Sequence, residues 1–173
     1  MTVDGYLDIL EDTLLVYRLH GYEAKLRVRE RKLPKLYWAD PGLVRAVKRQ
    51  FGPVTREESG ALFEGFVFHL LRAHAEEQKL YDELTYWSPA QSLQTEVDFL
   101  LRRRREFIAV EVKAAKRFDS SMTQGLRAIA ELPGVVRRVL VYDGERALRV
   151  EGGIEVWPIR RFSEMLATGR FWP

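Results

Sequence analysis

TEVDFLLRRRREFIAVEVKAA, residues 95–115, is the stretch on which the fold turns. Apolar residues recur at every second position on both sides of four consecutive arginines, which predicts strands over 95–103 and 106–115. Alternate side chains of a strand share a face. Glu96 and Asp98 therefore point together, with Val97 and Phe99 the other way. On the second strand Glu111 and Lys113 share a face, and Ile108, Val110 and Val112 pack opposite. If the hairpin turns through Arg104 and Arg105, Asp98 stands across from Glu111 and Glu96 across from Lys113. That register is an assumption, because RRRR is poor turn chemistry. A three-residue loop without a bulge would move the two acids to opposite faces.

Two facing carboxylates need an explanation. At roughly 5 Å across a strand pair and an effective dielectric near 20, they repel by about 3 kcal/mol. A divalent cation between them offsets that, and Mg²⁺ accepts a few hard oxygen ligands while keeping several waters. Lys113 would stand beside the metal, where an ammonium orients an attacking water or stabilises charge gathering on a phosphate. The plain alternative is a solvated sheet face with mixed charges.

Working outward, a helix is expected from Glu57 to Ala75, carrying Leu62, Phe63, Phe66, Val67, Leu70 and Leu71 to a core. Glu64 lies on it among Gly60, Ala61, Val67 and Phe68, a small or apolar surface where an acid is expensive unless paired. It reads either as a third, metal-positioning carboxylate or as a half-exposed glutamate favoured by the helix dipole. Further strands are expected at 84–88, 137–143, 146–150 and 154–158, with a helix over 120–132 preceded by Ser120 and Ser121 as caps. This pattern is a mixed α/β sandwich. Residues 5–19 have helical spacing up to Gly21. The stretch 22–39 ends in a strand at KLYWAD, and Asp40 and Pro41 start a helix over 42–50. Helix, strand pair and short helix resemble a small winged-helix-like unit, with three-helix and irregular arrangements still open. FGPVT marks the boundary between a unit at 1–54 and one at 55–173.

Bulk properties narrow the function. The 173 residues are 46% hydrophobic and 31% charged, enough for a folded core. There is no cysteine, so disulfides, thiolate catalysis and cysteine-ligated metals are excluded. His20, His69 and His74 are too scattered for a zinc site. No leader, apolar span, P-loop or GxGxxG is visible, and a cytoplasmic location is the default. The net charge of +3 is unevenly spread. Arg27, Arg29, Arg31, Lys32 and Lys35 form one basic run, Arg45, Lys48 and Arg49 another, and Arg102 to Arg105 a third. Such clusters suit a phosphate backbone, although each is also what a solvated surface looks like.

Five blocks carry a resemblance: YLDILEDTLLVYRL at 6–19, KLYWADPGLVRAV at 35–47, GALFEGFVFHLL at 60–71, TEVDFLL at 95–101 and IAVEVKAA at 108–115. Together they resemble the C-terminal domain of unknown function that follows the ATPase domain in bacterial and archaeal AAA-type ATPases, a region assigned to the PD-(D/E)XK nuclease superfamily. The resemblance implies a restriction-endonuclease-like mixed sheet flanked by helices. Its catalytic signature falls on Glu64, Asp98, Glu111 and Lys113, the three acids being the metal ligands, with Glu96 and Gln124 as possible accessories. An exposed helix position is the simpler reading of Gln124, and core packing the simpler role for Tyr86 and Trp87. The implied activity is a Mg²⁺- or Mn²⁺-dependent phosphodiesterase acting on DNA, with an AAA-type ATPase as fused or separate partner. A catalytically silent DNA-binding or docking module is the alternative, and a regulatory protein reading an operator is a third. The ATPase half has no counterpart in this sequence, and a fold alone does not deliver an activity.

Overall fold

The structure is a computed structural model that describes residues 2–22, 33–75, 79–89 and 95–173. Its centre is a six-stranded mixed sheet. β3 (Glu83–Trp87), β4 (Val97–Arg103) and β5 (Glu106–Lys113) run antiparallel in succession. β6 (Val135–Tyr142) lies parallel to β5, and β8 (Glu155–Pro158) parallel to β6. The short β7 (Leu148–Arg149) closes the far edge against β8, giving the order β3-β4-β5-β6-β8-β7. The β4–β5 register pairs Phe99 with Val110 and Arg103 with Glu106, so the chain does turn at Arg104 and Arg105. Arg104 takes the left-handed conformation, at φ 58°, and its N–H donates to Asp82 Oδ2 at 2.6 Å, which supports a turn the residue types alone disfavour.

Both faces of the sheet are covered. Phe99, Leu101, Ile108, Val110 and Val112 meet Val67, Phe68 and Leu71 of a long helix and Phe162 and Leu166 of the last one. The opposite face, with Leu100, Phe107, Ala109 and Leu140, packs on Leu126 and Ile129. The long helix is α3 (Arg56–Ala73), capped by the Thr55 hydroxyl. The crossover between β5 and β6 is broken into a 3₁₀ turn at Ser120–Thr123, α4 (Gln124–Ala128) and a second 3₁₀ turn at Ile129–Glu131, so the single helix expected over 120–132 is shortened to one full turn. Its cap is Asp119, which accepts from Ser121 N at 2.9 Å, and not Ser120 or Ser121. α5 (Ile159–Ala167) is the last helix.

The N-terminal residues form α1 (Val3–Asp12), β1 (Val16–Leu19), β2 (Lys35–Trp38) and α2 (Pro41–Val47), with β1 and β2 antiparallel. The helix expected over 5–19 stops at Asp12. Thr13 turns its hydroxyl back to Ile9 O at 2.8 Å, Leu14 adopts φ 59°, and the β-branched and aromatic Val16 and Tyr17 pair with β2 instead. Asp40 caps α2 as expected, accepting from Gly42 N at 2.6 Å. Leu19 and Tyr37 of this strand pair are buried in the same core as α3. Of the basic run, Arg27, Arg29, Arg31 and Lys32 lie outside the described residues. Among the described residues no helix is long and apolar enough to cross a membrane.

Two packing expectations change. On α3 the inward residue is Phe68, 3% exposed, while Phe66 faces out at 40%. A face shared by Phe68 with Glu64 and Leu71 satisfies the three- and four-residue spacing better than one through Phe66. On β4, Val97 does not share a face with Phe99: it joins the core beneath α4. The register against β3 slips by one residue between Thr85 and Trp87, and such a bulge breaks strict alternation.

Candidate functional site

That slip occurs beside Asp98 and sets the site. Asp98 is buried, 5% exposed, at the start of β4. Its Oδ2 accepts the backbone N–H of Val112 at 2.9 Å, locking the carboxylate onto β5. Its Oδ1 points the other way and accepts from the Lys35 ammonium at 3.1 Å. The β4–β5 ladder ends at Phe99 and Val110, and beyond it the Val112 N–H is what ties Asp98 to the strand that carries Glu111. Glu111, 6% exposed, receives Lys113 Nζ on Oε1 at 2.5 Å, while its Oε2 is buried with no hydrogen-bond partner.

Glu64 approaches from α3. Its Oε1 accepts both the Tyr37 hydroxyl at 2.5 Å and Lys35 Nζ at 3.3 Å. Glu96 does not meet Lys113 in the structure: it bonds the same Lys35 ammonium at 2.7 Å, drawn there by the irregular start of β4. Glu64, Glu96 and Asp98 thus converge on one lysine, while Glu111 bonds Lys113 and feels the charge of Asp98. Gln124 is exposed at the first position of α4 with no hydrogen bond to the cluster. The next residue, Gly125, is the close neighbour: a Cβ there would fall 2.0 Å from Glu96 O and 3.4 Å from Glu111 Oε2. Only a residue without a side chain lets α4 lie this close to both acids. Tyr86 is a core residue whose hydroxyl donates to Leu33 O at 3.0 Å, and Trp87 packs under α4.

The electrostatics follow from burial of like charges. Burial, with Asp98 adding to it, pushes the Glu111 carboxyl up to about 8. Burial and then Asp98 also raise Glu64, against the opposing pull of Lys35. Burial works against the charged forms of Lys35 and Lys113, but the surrounding carboxylates outweigh it and hold both ammonium groups above their ordinary range. Burial and then Glu64 keep the Tyr37 phenol protonated far above its usual value, as its hydrogen-bond donation to that carboxylate requires.

Lys35 is the member that sequence reasoning misplaced. It stood in a basic run that looked solvated, yet its side chain is only 23% exposed and bonds three acids. The usable signal was strand alternation: in KLYW, Lys35 and Tyr37 share a face, and Tyr37 is an obvious core residue. Among the described residues no group of three or more His, Cys, Asp or Glu side chains is gathered closely enough to enclose a metal. Two oxygens could serve a divalent ion: the unpartnered Glu111 Oε2 and Asp98 Oδ1, whose present partner is itself a cation. Mg²⁺ is content with one or two carboxylates and water.

Residues 59–162 match the family described as Domain of unknown function (DUF4143). The chain belongs to the DUF4143 family. Residues 1–53 match a second family, Domain of unknown function (DUF8612). Over 171 residues this DUF4143 chain is 27% identical to uncharacterized proteins of Mycobacterium tuberculosis (Rv2008c) and Mycobacterium bovis (Mb2031c). The alignments take in 97% of this chain and 36% of each relative, so the chain spans about a third of the length of the curated relatives it matches. The DUF4143 match contains Glu64, Asp98, Glu111 and Lys113, whereas Lys35 and Tyr37 come from the segment matching DUF8612.

Proposed function

We propose that this chain is a metal-dependent phosphodiesterase acting on DNA, built on a PD-(D/E)XK-type core. The observation that carries the reading is Asp98 locked by the Val112 N–H on one strand and Glu111 bonded to Lys113 on the next, with one Glu111 oxygen left unpartnered. Asp98 and Glu111 would hold Mg²⁺ or Mn²⁺, and Glu64 would complete or orient that set. The bound ion supplies Lewis-acid polarisation of the phosphodiester. Lys113, whose side chain is 40% exposed at the end of β5, would orient an attacking water and stabilise charge on the phosphate. The basic N-terminal segment, in the role of a winged-helix-like unit at 1–54, would grip the backbone, and the 55–173 unit would carry the chemistry. The similarity to a third of longer proteins fits a further domain or partner, for which an AAA-type ATPase is our candidate.

Plasmid, oligonucleotide and branched DNA incubated with the purified chain in Mg²⁺ or Mn²⁺ test this directly. Cleavage is expected, and its persistence after Asp98→Ala or Lys113→Ala would remove the proposal. One observation favours a second reading, a catalytically silent DNA-binding or docking module: Lys35 already bonds three of the acids. Salt-dependent DNA retention without turnover would support that module, and loss of both DNA and ATPase binding would exclude it.

A further inference from the structure

Asp98 has two carboxylate oxygens, and both are spoken for. Oδ2 is fixed to the β5 backbone, so the oxygen able to reach a metal is Oδ1, which Lys35 occupies at 3.1 Å. Glu64 Oε1 is shared between Lys35 and Tyr37 in the same way. An ammonium hydrogen-bonded to a metal's own ligands opposes the ion twice, by taking lone pairs and by like-charge repulsion. Lys35 is also well placed to leave. It stands at the first residue of β2, paired with Leu19 at the end of a four-residue ladder, and the residue two before it, Leu33, is 85% exposed. Its four-carbon stem has the rotamer freedom to swing the charge toward solvent.

We propose that the Lys35 ammonium and a divalent cation are alternative occupants of this acid cluster, so that the N-terminal strand pair acts as a built-in gate on metal loading. Metal binding expels Lys35, and withdrawal of Lys35 admits metal. The inference rests on the metal-site reading above and adds a regulator contributed by the segment that matches DUF8612. It also accounts for two unlike arrangements in one site: three acids already gathered around Lys35 and a partnerless Glu111 oxygen.

Calorimetric titration of Mn²⁺ into the full chain, the Lys35→Met variant and the Glu111→Ala variant tests the exchange. Lys35→Met is expected to bind Mn²⁺ about tenfold more tightly than the unaltered chain, or more. Binding by the variant alone would support the gate equally. Glu111-dependent Mn²⁺ binding that Lys35→Met leaves unchanged or weakens overturns the exchange while the metal site stands. No Glu111-dependent binding in either protein overturns both. A measurement on the unaltered protein covers a variant that fails to fold: acylation of Lys35 by an amine-reactive ester, followed by peptide mass spectrometry, is expected to rise several-fold at saturating Mn²⁺. Reactivity that stays level or falls overturns the proposal.

Discussion

Replacing Glu111 by Gln isolates the energetic strain of the site, because the amide keeps the shape of the carboxyl and removes its titration. In the folded chain burial and Asp98 hold Glu111 protonated up to about 8, against 4.5 for an ordinary glutamate. Below the lower value both folded and unfolded forms are protonated and nothing is lost. Between the two values the unfolded chain gives up its proton while the folded one keeps it, so stability falls as pH rises. The slope is about 1.4 kcal/mol per pH unit for one group, and the whole interval sets a ceiling on the order of 5 kcal/mol. The stabilising contribution of the neutral carboxyl is therefore complete below pH 4.5 and gone above about 8. Urea denaturation of both proteins from pH 5 to 9 measures it, since other titrating groups largely cancel in the difference. Glu111→Gln should gain on the unaltered chain by at least ~1 kcal/mol over that range. A difference that stays flat with pH would show that Glu111 ionises normally, and the account of a crowded, desolvated acid pair would fail.

Two further outcomes concern packing. Gly125→Ala places a methyl 2.0 Å from Glu96 O, over an ångström inside contact distance. Either α4 or the start of β4 must move, and a loss of about 2–3 kcal/mol in urea denaturation is expected; a loss under ~0.5 kcal/mol would mean that α4 does not lie against Glu96. Phe68→Ala removes a ring stacked on Tyr37 at 4.3 Å and lying 6.0 Å from Phe99, and should cost about 3–5 kcal/mol, whereas Phe66→Ala should cost under ~1 kcal/mol by the same measurement.

The central hairpin was legible from period-two hydrophobicity on each side of the arginines, while its turn at Arg104 and Arg105 was an assumption that only the structure bears out. The strands either side of it were legible for the same reason. What periodicity does not contain is its own interruption. Nothing in TEVDF marks the slip that parts Val97 from Phe99, since the slip is decided by pairing with β3, ten residues upstream. The N-terminal helix was overextended for a related reason: Leu14 and Tyr17 continue the helical spacing, and only their pairing and backbone conformation in three dimensions show that the helix ends at Asp12.

The site divides along the same line. Asp98, Glu111 and Lys113 are close in sequence and share one hairpin, so their meeting follows from local geometry. Lys35 is sixty-three residues from Asp98, and its charge made it look like surface. A lysine counts as surface only while nothing buried needs its charge. Glu64 on α3, Glu96 and Asp98 at the start of β4 and Glu111 on β5 together require counterions or protons, and burial of Asp98 and Glu111 makes that requirement stronger than the cost of immobilising one flexible side chain. The same requirement can be met by a metal, by protonation of Glu111 or by Lys35, and these differ in what they respond to: metal concentration, pH and movement of the β1–β2 pair. A cluster of this kind is accordingly defined less by its fixed ligands than by which cation currently holds it.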